Sequence, residues 1–133
     1  MSIDIAILLR EALTESGCQS DVMGDFDSHS TIALEFDGHP GILITQLQDE
    51  VWIWSRLIED NGLTISQCSA ALLEKLMQGC EFAANGQLQL ASNEGFVELK
   101  GLVHAQYLET SAKFASALDE FFALSEDFCR IYQ

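Results

Sequence analysis

Asp25, Asp27 and His29, in the string DFDSHS, are the tightest group of side chains in this sequence that could hold a metal ion or move a proton. Alternating carboxylates open a calcium-binding loop, but such a loop needs glycine at its sixth position and glutamate at its twelfth. Ser30 and Phe36 stand there instead. A turn leading into a strand is the better reading, because Asp and Ser side chains bond to nearby backbone amides. Ser28 adjoins His29, yet neighbours on an extended chain point apart and no G-x-S-x-G elbow is present. The three histidines lie on separate segments, and neither G-x-G-x-x-G nor G-x-x-x-x-G-K-[ST] occurs, so a nucleotide would have no phosphate cradle. Cys18, Cys68, Cys80 and Cys129 form no C-x-x-C pair and read as free thiols of a reducing compartment. No catalytic residue, metal ligand or cofactor is therefore assigned. An enzyme would have to assemble its site from residues distant in sequence.

The chain of 133 residues has the length of one domain, taken as 1–133. With 48% hydrophobic residues it can bury enough surface to fold without a disulfide or metal staple. Twenty-one Asp and Glu against six Lys and Arg give a net charge of −15, so nucleic acid and anionic membranes are poor partners. The opening apolar run is broken by Asp4, Arg10 and Glu11 and has no basic leader, which argues against a signal peptide. No segment approaches the roughly 20 apolar residues of a membrane span, and a cytoplasmic location is expected.

Helical spacing of Ile5, Leu8, Leu9, Ala12 and Leu13 predicts a first helix over Ser2–Ser16, ended by Gly17. The period then changes to two. Thr31–Phe36, Gly41–Leu47 and Glu50–Leu57 read as consecutive strands, the first two joined by a turn at Asp37–Pro40. Thr64 with Gln67 has the form of a capping box opening a second helix that runs to about Cys80. Gln87–Ala91 and Phe96–Val103 flank a turn at Ser92–Gly95, and from Thr110 onward Phe114, Leu118, Phe121, Phe122, Ser125 and Phe128 mark a closing helix. The predicted order is αβββαββα, an α+β fold with an antiparallel sheet and three helices.

Apolar surface exceeds what one core needs. On the second helix Ile65, Cys68, Ala70, Leu72, Leu73, Leu76, Met77 and Cys80 sweep roughly 200°, against the roughly 100° stripe of an ordinary surface helix. A two-fold contact with a second copy would hide it, and a helix buried centrally in the monomer is the alternative. On the third strand Val51 and Ile53 alternate with Trp52 and Trp54, so both faces are apolar, which helices on each side of a central strand would also explain. On the first helix Ile3 and Ile7 fall off the main stripe, beside Arg10 and Thr14.

The element order, the acidity and several strings together resemble class I type III secretion chaperones, specifically the InvB/SpaK-like multi-effector group. The strings are DFDSHSTIAL (Asp25–Leu34), DEVWIWSRL (Asp49–Leu57), GCEFAANGQLQL (Gly79–Leu90) and LVH (Leu102–His104), with LLREAL and SGC between Leu8 and Cys18. The resemblance implies a bacterial cytoplasmic homodimer that binds N-terminal segments of several effectors and keeps them secretion-competent. It implies no cofactor and no enzymatic activity, with the ATPase of the secretion apparatus receiving the complex. On this basis Ile3, Ile7, Arg10, Trp52 and Trp54 are expected to bind effectors, and Leu72, Leu73, Leu76 and Met77 to form the dimer interface. An unrelated acidic protein-binding domain is the alternative.

Overall fold

A computed structural model describes residues 4–15, 31–60 and 62–132. Ile3, Cys18, the Asp25, Asp27 and His29 group and the expected ends of the first helix lie outside the described residues. Helix α1 spans Ile5–Glu15, and the Asp4 carboxylate accepts the backbone N–H of Ile7 at 3.2 Å, satisfying a donor that the first helical turn leaves unpaired. Strands β1 (Ile32–Phe36), β2 (His39–Leu47) and β3 (Glu50–Glu59) follow, then α2 (Leu63–Met77), β4 (Gln89–Asn93), β5 (Phe96–Leu102) and α3 (Ser111–Ile131). The order αβββαββα is the one the periodicities predict. A short 3-10 turn, Ala105–Leu108, has no counterpart among those predictions.

The strands form one antiparallel sheet in the order β1-β2-β3-β5-β4. β4 and β5 meet through Glu94 and Gly95, both at positive φ (51° and 83°), a two-residue turn whose twist suits the flanking strands. β2 begins two residues earlier than expected and contains Pro40. Proline is tolerated there because the ladder to β3 begins only at Leu43.

One face of the sheet carries the core. Ile32, Leu34, Ile42, Ile44, Val51, Ile53 and Leu99 are buried against Leu9 and Leu13 of α1 and Phe114, Phe121 and Phe128 of α3. α3 is capped by Thr110, whose Oγ1 accepts the Lys113 N–H at 3.1 Å.

Helix α2 departs from expectation at both ends. It opens at Leu63 with Gly62 (φ 75°) in the cap position and no side-chain cap there, so the cap falls two residues before the Thr64 of the predicted capping box. A capping hydroxyl must stand just before the first helical residue, and Thr64 is already inside the helix. Asp60 organises the entry instead, accepting from the Gly62 N–H at 3.1 Å and from Ser92 Oγ at 2.5 Å, which ties the start of α2 to β4. The helix stops at Met77 rather than Cys80 because Gly79 adopts φ 88°, its N–H donating to the Leu76 carbonyl at 3.2 Å.

Candidate functional site

The outer face of the sheet is built from the alternate residues of β3 and their neighbours. Trp52, Trp54 and Arg56 point there because Val51, Ile53 and Ser55 are committed to the core side. Leu43 and Thr45 on β2 lie opposite Trp54 and Trp52, while Lys100 and Leu102 on β5 flank the same two residues from the other side. Trp54 is held in place by its indole N–H, which donates to Thr45 Oγ1 at 3.0 Å, and Thr45 Oγ1 lies 3.0 Å from Thr31 Oγ1. Among the described residues no helix covers this face: α1 and α3 pack on the other side, and Trp52 and Trp54 are half-buried. The two-sided apolar character of β3 therefore does not come from helices on each side.

Cations complete the surface. The Lys100 ammonium is 5.8 Å from the ring centroids of both Trp52 and Trp54, within the range of a cation–π attraction. The Arg56 guanidinium lies 5.8 Å from Trp54 and 5.2 Å from Phe96. Between them is Glu98, its side chain 1% exposed, with Oε2 at 3.7 Å from Arg56 Nε and Oε1 at 3.8 Å from Lys100 Nζ. Periodicity singled out Trp52 and Trp54 but missed Lys100, Leu43 and Leu102. The alternation Glu98, Lys100, Leu102 was visible in the sequence, but only the pairing of β5 with β3 brings it beside the indoles.

A second apolar surface lies on α2. Leu63, Leu73 and Met77 are 61%, 58% and 67% exposed, and Ile65 and Leu76 are half-buried. Leu72 belongs to the protein's own core. Between α2 and β4 runs a groove of about 440 Å³ lined by Ile65, Leu72, Leu73, Leu76, Leu90 and Val97. The broad apolar arc thus serves the core along one edge and faces solvent along the other. Burial of the helix at the centre of the monomer does not describe it.

On α1, Ile7 is 57% exposed and Arg10 is also at the surface. They lie in the helix layer and the tryptophans on the opposite face of the sheet, so the expected effector-binding residues fall on two surfaces. A smaller cavity of about 220 Å³ opens where α1, β1 and α3 meet, lined by Leu13, Leu34, Phe36, Ile42, Leu118 and Phe122. Beside it the His39 ring stacks on Phe122 with centroids 4.2 Å apart and lies 3.0 Å from the Oγ of buried Ser125.

Nucleophile chemistry finds little support. Burial, and then the Glu120 charge, push the Cys80 thiol up to about 12, and burial, then the nearby Glu126 charge, likewise raise Cys129. Neither provides a thiolate at neutral pH. Among the described residues no three His, Cys, Asp or Glu side chains are grouped to hold a metal, and no helix is long and apolar enough to cross a membrane.

The fold is shared with chains of solved complexes, among them a chaperone–effector complex and one from a type III secretion system. It superposes on a chain of the ExsC–ExsE complex with a TM-score of 0.66 at 18% identity, covering 98% of this chain and 96% of that one. For the HopA1–SchA chaperone–effector complex the score is 0.65 at 13% identity, over 95% and 93%. For the ExoU–SpcU complex from the type III secretion system of Pseudomonas aeruginosa it is 0.56 at 15% identity, over 90% and 93%. The sequence places the chain more narrowly. The Invasion protein B family model matches residues 17–94, and the surface presentation of antigens protein SpaK of Salmonella typhimurium is 42% identical over 128 residues, 96% of this chain and 95% of SpaK. SpaK of Salmonella typhi matches to the same extent. The chain belongs to the Invasion protein B family, which replaces the alternative of an unrelated acidic domain.

Proposed function

We propose that this protein is a cytoplasmic chaperone that binds the N-terminal regions of type III secretion effectors, holds them secretion-competent and helps deliver them to the secretion apparatus. The observation that carries the reading is an outer sheet face, on a member of this family, where Trp52 and Trp54 are only half-buried and have no helix over them among the described residues. A client segment laid across that face removes apolar area from water at roughly 25 cal/mol per Å². Main-chain hydrogen bonds to an edge strand of the sheet add affinity that does not depend on client sequence, so one chaperone can serve several effectors. Ile7 and Arg10 on α1 supply a second contact that a longer segment reaches by wrapping around the sheet.

The working unit is a homodimer joined through Leu73, Leu76 and Met77, with Leu72 supporting them from the core. Two copies carry 2 × −15 = −30 formal charges, which keep a protein with so much exposed apolar surface soluble. The role requires no cofactor and no catalysis, and the ATPase of the secretion apparatus is the receiver of the complex. Co-expression with candidate effectors tests the reading. One effector is expected to be retained through its N-terminal region, and retention through other regions only, or of none, would refute it.

A further inference from the structure

We infer that Lys100 selects client segments carrying an aspartate or glutamate within an apolar stretch, by holding an ammonium at the centre of the Trp52 and Trp54 platform. The inference rests on the proposed use of this sheet face for clients.

The cations of the face are not equivalent. Arg56 is committed to Glu94 at 3.3 Å and to Glu98 at 3.7 Å. Among the described residues Lys100 is ion-paired only with Glu98, at 3.8 Å and so beyond hydrogen-bond reach, and shares that carboxylate with Arg56. An ammonium has three N–H donors, and this one ends a side chain that is 33% exposed and sits at the same 5.8 Å distance from two indoles. Glu98 divides its single charge between both cations and is itself covered, so an incoming segment meets the ammonium and not the carboxylate.

Selectivity follows from desolvation. An apolar segment covering Trp52, Trp54, Leu43 and Leu102 strips water from Lys100, and the loss is offset only if the segment brings an acceptor, best of all a carboxylate. A segment with lysine at that point adds repulsion and brings no acceptor, so wrong sequences are rejected by penalty. This local preference opposes the −15 charge of the whole chain, which favours basic segments at long range. Charge complementarity at the platform is therefore separable from general attraction.

Random short peptides displayed on phage are panned on the wild-type protein, and clones that lose binding to Trp52→Ala are kept. They are expected to be enriched in Asp or Glu flanked by apolar residues. In synthetic versions of the best clone, changing that carboxylate to Gln weakens binding roughly tenfold and to Lys further still. The Gln change matters little on Lys100→Met, and Lys100→Arg keeps the preference. Kept clones without acidic enrichment, or a Glu, Gln and Lys series of equal affinity on the wild-type protein, overturn the inference and leave the face as a client site. Absence of any Trp52-dependent clone overturns the proposed use of the face, and the inference with it.

Discussion

The carboxylate of Glu120, on α3, accepts the backbone N–H of Phe82 at 3.0 Å and with its other oxygen that of Glu81 at 3.1 Å. The segment between α2 and β4 has no sheet partner of its own for these amides. A charged acceptor on the neighbouring helix supplies it and places the Phe82 ring in the core, fully buried. Glu120→Ala leaves both donors unsatisfied and is expected to cost about 1.5 to 3 kcal/mol. Urea unfolding measures this, and a midpoint equal to wild type would show that water replaces the carboxylate at no cost.

Cys80 lies beside the same carboxylate, and its thiol is pushed up to about 12 from an ordinary value of about 9. The folded state therefore prefers the protonated thiol. Its contribution to stability is complete below about pH 9 and is lost as pH rises toward 12. Alkylation by iodoacetamide at pH 8 is expected to be slow at Cys80 in the native protein and fast in urea, read by peptide mass mapping. Rapid native labelling would contradict the burial.

Gly101 on β5 has no room for a side chain, since a Cβ there would stand 2.7 Å from Leu88 Cδ2 and 2.8 Å from Phe82 Cζ. Gly101→Ala forces Phe82 or Leu88 off its position and is expected to cost about 1 to 3 kcal/mol. The circular dichroism melt reads the change. An unaltered melting temperature would mean that this part of the core yields freely.

Leu73 and Met77 are exposed in the single chain, so Leu73→Glu or Met77→Glu leaves the monomer fold nearly intact. In a dimer the same change puts an unpaired carboxylate into a dry contact and costs several kcal/mol, about 3 to 5. Light scattering is expected to show the wild type at twice 14.7 kDa and the variants near 14.7 kDa. A monomeric wild type at micromolar concentration removes the dimer from the proposal.

Ile7 tests the helix layer as a client contact. At 57% exposure Ile7→Glu keeps helix propensity and is expected to leave the melt unchanged. It puts a carboxylate where a client's apolar side chain rests, so affinity for a co-purified effector drops roughly tenfold. Calorimetry on the same variant decides. Unaltered affinity would exclude Ile7 from the site.

Strand and helix identity were legible in the sequence because side-chain direction is a local property. The alternation of Val51 and Ile53 with Trp52 and Trp54 predicts a strand whatever it pairs with, and the spacing of Phe114, Phe121 and Phe128 predicts the buried face of α3. The strings from Asp25 to His104 were also enough to suggest the family to which the chain belongs. Placement was not legible. That the described helices pack on the core face, leaving the tryptophans on the other, is decided by how α1, α2 and α3 pack together with the sheet. That Leu72 is core while its neighbour Leu73 is exposed depends on how α2 sits over β4. Lys100 is 46 residues from Trp54, and Glu120 is 38 from Phe82, and each pair meets only through register or packing. Register is set when the alternating faces find a common core, because a slip of one residue would turn every inward side chain outward. Local pattern determined which side chains share a face, and only the tertiary structure decided which neighbours from distant strands and helices complete it.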